Sequence, residues 1–127
     1  MKSTTAFRIS AVLGFVAVAL GAFGAHGLRS LLEQHDRLAT WETASFYHLT
    51  HAIVLCGVAW RSPFLKGAWW CFFIGILIFS GSLYVLCLTN VGVLGAITPI
   101  GGVALLVGWG WLVFAKPGTR EASSSRP

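Results

Sequence analysis

The stretch "FYHLTHAIVLC", Phe46 to Cys56, sets two imidazoles, His48 and His51, three residues apart among apolar side chains. On a helix that spacing leaves them about 60° apart, on one face. Three chemistries are open to such a pair. Neutral histidines can hydrogen-bond to neighbouring helices and fix their register. Imidazoles can ligate a metal or haem, with His26 of "GAHG" as a third donor. Ionisable groups inside a membrane can also line a path for a proton or small solute. The first reading is the strongest, because Tyr47, Ser80, Ser82, Tyr84 and Thr98 supply hydrogen-bonding partners in similar apolar surroundings. Each bond of this kind contributes about 0.6 kcal/mol in membranes. The metal reading lacks a carboxylate or thiolate at that depth. The pathway reading lacks any Asp or Glu within an apolar segment, which disfavours a carboxylate-driven proton antiporter.

The elements that must position these residues follow from composition. Of 127 residues, 56% are hydrophobic and 10% charged, with a mean hydropathy of +0.77. A soluble domain carries about 25% charged residues. Four segments can cross a hydrocarbon layer about 30 Å thick, at about 7–25, 44–60, 68–88 and 94–115. Unpaired backbone groups are too costly in lipid for anything but helices here, and the runs do not alternate as barrel strands do. The expected fold is therefore all-α: an integral membrane four-helix bundle, in one domain over 1–116. Between the first two spans, Leu28, Leu31, Leu32 and Leu38 share a helical face, which predicts a short amphipathic helix on the membrane surface. The polar tail, 117–127, reads as disordered and cytoplasmic. The first span also resembles a secretory signal, with "AFG" as a cleavage site. Its smooth continuation into "AHGLRSLL" favours retention.

Basic residues give the threading. Lys2, Arg8, Arg61, Lys66, Lys116, Arg120 and Arg126 fall on one side, and only Arg29 and Arg37 on the other. Lys and Arg concentrate in cytoplasmic loops, so both termini are expected there, in a plasma (inner) membrane. Trp60, Trp69, Trp70, Trp109 and Trp111 are expected at the inner interface and Trp41 at the outer one. With this threading, His26, Tyr47, His48, His51, Ser80, Ser82, Tyr84 and Thr98 all belong to the outer half.

Small residues predict where helices approach. Ala17, Gly21 and Ala25 repeat every four residues, as do Ala104 and Gly108. Gly101, in "TPIGG", belongs to the same close-packing pattern. Pro99 is expected to kink the fourth helix near its outer end.

Other functions find little support. The basic residues form no patch, so nucleic acid is not an expected partner. Cys56, Cys71 and Cys87 lie in apolar runs without a CxxC pair and read as free thiols. No nucleophile–base pair, phosphate loop or carboxylate pair is present, so the chain is not expected to be an enzyme, and no cofactor is implied. The expected partners are the bilayer and either further copies of the chain or a larger membrane complex.

Four ordered motifs, "GAFGAHGL", "YHLTHA", "FSGSLY" and "LGAITPIGG", carry a resemblance. They resemble the YgdD-like family of small bacterial inner-membrane proteins of unknown function, which has relatives among small eukaryotic membrane proteins. The resemblance implies four helices, a plasma-membrane location and an uncleaved first span. It implies no activity, cofactor or catalytic residue. Tyr47-His48 stands where that family often has Tyr-Gln, which makes His51 the stronger candidate for a shared role. The sequence thus points to a small structural or accessory membrane subunit.

Overall fold

A computed structural model of the chain describes residues 1–118. The expected disorder of the tail falls outside the described residues from 119 onward. The elements are α1 (Ser3–Ala25), α2 (Arg29–Gln34), α3 (Leu38–Trp60), α4 (Lys66–Thr89), a 3₁₀ turn (Gly92–Ala96) and α5 (Thr98–Phe114). No strand occurs among the described residues. Three segments, Ser3–Ala25, Lys66–Thr89 and Gly92–Phe114, are long and apolar enough to cross a membrane.

The fourth long helix, α3, matches α1 at 23 residues but is more polar. Its position explains how it carries that polarity. α1 packs on α3, α3 on α4, and α4 on α5. A helix held between two others can turn polar side chains toward protein rather than lipid. His48 and His51 are both buried in this way.

The connections tie the helices at one end of the molecule. Asn90 ends α4 in the left-handed conformation, φ 55°, which asparagine tolerates better than most residues. Its side-chain oxygen accepts a hydrogen bond from Arg37 Nε at 3.1 Å. Asp36, at φ 54°, closes the α2–α3 turn in the same conformation. That turn limits α2 to six residues, shorter than the amphipathic helix expected across 28–38. Leu32 is fully buried against Trp41 and Cys87, with Leu28 and Leu38 packed around it. The helix is therefore docked on the protein by Leu32.

The opposite end is apolar. Leu55, Val58, Trp69, Phe72, Ile76 and Leu105 form its buried cluster. One polar contact crosses it: Trp69 Nε1 donates to Ser10 Oγ at 3.0 Å, and Ser10 donates to the Ala6 carbonyl at 2.7 Å.

Several packing expectations need correction. Pro99 sits in the first turn of α5, where a missing amide proton leaves no bond broken, so it starts the helix instead of kinking it. A Cβ on Gly21 would meet nothing within 4 Å, and Ala25 is exposed. The buried face of α1 is instead Ala6, Ser10, Ala17 and Gly24. Trp41 selects that face: its indole lies on Gly24, in the space a Cβ would take, and donates to the Leu20 carbonyl at 2.9 Å. On α5, Gly101 and Gly108 are buried while Ala104 is only partly so. Gly101 meets the backbone of Phe79, Gly108 meets the Phe72 ring, and Leu105 between them fills the space over Gly75 of α4. Trp41 and Trp69 are buried within the protein. Trp60, Trp70 and Trp111 remain exposed.

Candidate functional site

α3 presents the two histidines, but the fold sends them to different partners. His51 Nδ1 lies 2.8 Å from the Tyr47 carbonyl, one turn back on the same helix. A carbonyl only accepts, so Nδ1 carries the proton. Trp109 Nε1, from α5, donates to His51 Nε2 at 3.1 Å. An indole only donates, so Nε2 holds the lone pair. The bonds thus define a neutral imidazole with both nitrogens engaged. Packing holds the ring in place: Tyr47 stacks parallel to it at 5.9 Å, with Phe72 and Trp109 against its other sides.

His48 turns toward α4. Its Nδ1 lies 2.9 Å from the Tyr84 hydroxyl, which also reaches Ser45 Oγ at 3.5 Å. Tyr84 is held in turn by Trp41, with ring centroids 4.8 Å apart. His48 Nε2 is buried and has no partner among the described residues. The sequence reading ranked His48 below His51 because of the resemblance. The structure buries the two almost equally, His48 at 4% and His51 at 6% exposure.

The remaining expected site residues form separate pairs. Ser80 Oγ donates to the Ala44 carbonyl of α3 at 2.9 Å. Ser82 donates to the Phe79 carbonyl at 3.0 Å, so its 2.7 Å contact with Thr98 is donated by Thr98 of α5. Tyr47 contributes its ring and backbone carbonyl, as above. His26 does not join: it is exposed at the C-terminal cap of α1. Among the described residues, no group of three His, Cys, Asp or Glu side chains could hold a metal ion. Each pair joins two neighbouring helices, or two turns of one helix, and the pairs do not converge on a single point.

Sequence reasoning missed four participants. Trp109, expected at the inner interface, also donates to His51. Trp41 and Ser10 carry interhelical bonds. His35, in the α2–α3 turn, has Nδ1 2.8 Å from the Cys87 carbonyl, to which it donates. The signal for Trp109 lay in the adjoining Gly108, which lets α5 approach the Phe72 ring of α4 closely.

Apolar spans joined by interior hydrogen bonds define a multi-pass helical membrane protein. Comparison with known sequences agrees. A family model described as "Protein of unknown function (DUF423)" matches residues 20–102, and the chain belongs to that family. The UPF0382 membrane protein YwdK of Bacillus subtilis (strain 168) is 44% identical over 113 residues, covering 84% of this chain and 91% of the relative. The UPF0382 membrane protein SAB0533 of Staphylococcus aureus (strain bovine RF122 / ET3-1) is 44% identical over 111 residues, covering 84% of this chain and 90% of the relative. No solved structure matches the chain.

Proposed function

We propose that the protein is a non-enzymatic structural or accessory subunit of the plasma membrane. In this reading α1, α3, α4 and α5 are four spans, α2 docks at the outer surface, and both termini lie in the cytoplasm. Its family is the YgdD-like one that the four motifs resemble. The observation that carries the reading is the use of the polar residues. His51, Ser80, Ser82 and Thr98 have their hydrogen-bonding groups engaged within the protein, which suits a scaffold more than a reaction centre. A through-path for protons or solutes would have to cross the cluster of Leu55, Trp69, Phe72 and Ile76, whose polar contact, Trp69 to Ser10, is already engaged within the protein. Partners in this reading are the bilayer and either copies of the chain or a larger complex.

Affinity isolation of the native protein in a mild detergent, with mass spectrometry of what accompanies it, tests the role. A stoichiometric companion or a defined oligomer is expected. A bare monomer would sink the accessory reading. Reporters fused to the C-terminus test the threading separately. A reporter active only outside the cytoplasm should stay silent.

A further inference from the structure

Where α3 and α5 finish, the protein carries an open cavity of about 540 Å³. One side is the α3–α4 connection, with Arg61 and Leu65. The other is the end of α5, with Trp111, Phe114 and Lys116. Close packing joins the two sides. The Trp111 ring fills the space a Cβ on Gly67 would take, and Gly118 lies against Arg61 and the Ser62 carbonyl. Arg61 Nη1 donates to the Pro63 carbonyl at 3.0 Å, which steadies the guanidinium and leaves its other N–H groups for an outside acceptor. Arg61 is partly exposed and Lys116 exposed, so a ligand reaches both from outside.

No carboxylate among the described residues faces these two cations. Glu33, Asp36 and Glu42 lie in α2, the turn after it and the start of α3. Glu42 stands about 28 Å from Arg61 along the α3 axis, at a rise of 1.5 Å per residue. The one ion pair among the described residues, Arg29 with Glu33, forms at that far end. The remaining walls are apolar and uncovered: Phe114 is 89% exposed and Trp111 47%. Cations beside bare aromatic rings call for a ligand with an anionic head and an apolar body. A free phosphate would neutralise the cations and leave the rings uncovered. We propose that this cavity binds an anionic phospholipid, its phosphate between Arg61 and Lys116 and the start of its acyl chains against Trp111 and Phe114. A guanidinium fork matches two phosphate oxygens, and the ammonium adds a second charge. Indole rings favour the depth at which headgroup meets acyl chain. Basic pockets between membrane helices hold anionic headgroups in this way. This site goes beyond the accessory role and does not depend on which side of the membrane this end faces.

The test titrates the full chain, in detergent micelles, with phosphatidylglycerol. Phosphatidylcholine is the zwitterionic counterpart, and native mass spectrometry counts the bound lipid. Phosphatidylglycerol should bind saturably and in preference to phosphatidylcholine. Arg61→Gln and Lys116→Gln should each weaken it by about fivefold, the effect of one cation near a membrane surface. Lys116 is exposed, so its variant tests the site without disturbing the fold. Arg61→Lys, which keeps the charge but not the fork, should recover part of the loss. Phe114→Ser should also weaken binding, although it changes no charge. Lys2→Gln is the control. It removes a cation at the same end, where Phe7 of α1 meets Trp60 of α3, but outside the cavity, and it should leave binding unchanged. Three results overturn the proposal. One is equal binding of the two lipids. Another is an equal loss from Lys2→Gln, which would mean diffuse surface charge rather than a site. The last is displacement of the lipid by glycerol phosphate at matching concentration, which would assign the cavity to a free phosphate.

Discussion

His48 and His51 differ far more in their partners than in their setting. Both sit on α3, both are buried, and they stand three positions apart. On the α5 side, His51 is full: one nitrogen donates to Tyr47 and the other accepts from Trp109. On the α1–α4 side, His48 meets the Tyr84 hydroxyl through Nδ1, and its other nitrogen is sealed inside the protein with no side-chain partner among the described residues. The difference teaches that burial alone does not tell how fully a polar ring is satisfied. What distinguishes the two histidines is whether neighbouring helices complete the ring's hydrogen bonds. α5 brings an indole to His51. α1 brings only aliphatic side chains beside His48.

The harshest way to break this comparison is to disturb the support behind His48 from α1. Gly24→Leu would drive a side chain into the Trp41 indole, which braces Tyr84. Overpacking of this kind should cost about 3 kcal/mol, read as a lower melting temperature in mild detergent. A variant as stable as wild type would mean that Trp41 does not sit on α1.

His51→Leu comes next. It leaves the Trp109 indole proton without an acceptor and should cost about 2 kcal/mol. His51→Gln should recover part of that loss, because its amide oxygen can accept. Combining His51→Leu with Trp109→Phe should cost less than the sum of the two changes, and strict additivity in that cycle would deny the bond.

His48→Leu should be milder, within about 1 kcal/mol, because it removes a nitrogen that is already unpaired. The Tyr84 hydroxyl can still turn to Ser45. Equal melting temperatures for His48→Leu and His51→Leu would erase the contrast between the two sides.

Gly21→Leu should change least, within about 0.5 kcal/mol, since its side chain enters open space. A loss matching that of Gly24→Leu would restore the Ala17–Gly21–Ala25 face as the packed one.

The sequence by itself determined the class of this protein. Long apolar runs cannot leave backbone groups unpaired in lipid, so helices at those positions followed from hydropathy alone. It also marked the polar residues worth following: His48, His51, Ser80, Ser82, Tyr84 and Thr98 all lie at contacts between helices or turns. Only the tertiary structure decided how those residues pair. The 60° between two imidazoles looked compatible with one shared ligand. Helix rotation and the placement of α5 sent them to different neighbours instead. The same holds for the glycines. Spacing every four residues named Gly21, whereas the bulk of Trp41, a residue of another helix, selected Gly24. Pro99 was visible as a helix disruptor, but its effect depended on where the α4–α5 connection ended, which placed it in a first turn. Periodicity within one helix describes a face. Which partner meets that face is set by side chains distant in sequence, and those contacts form only when the helices pack.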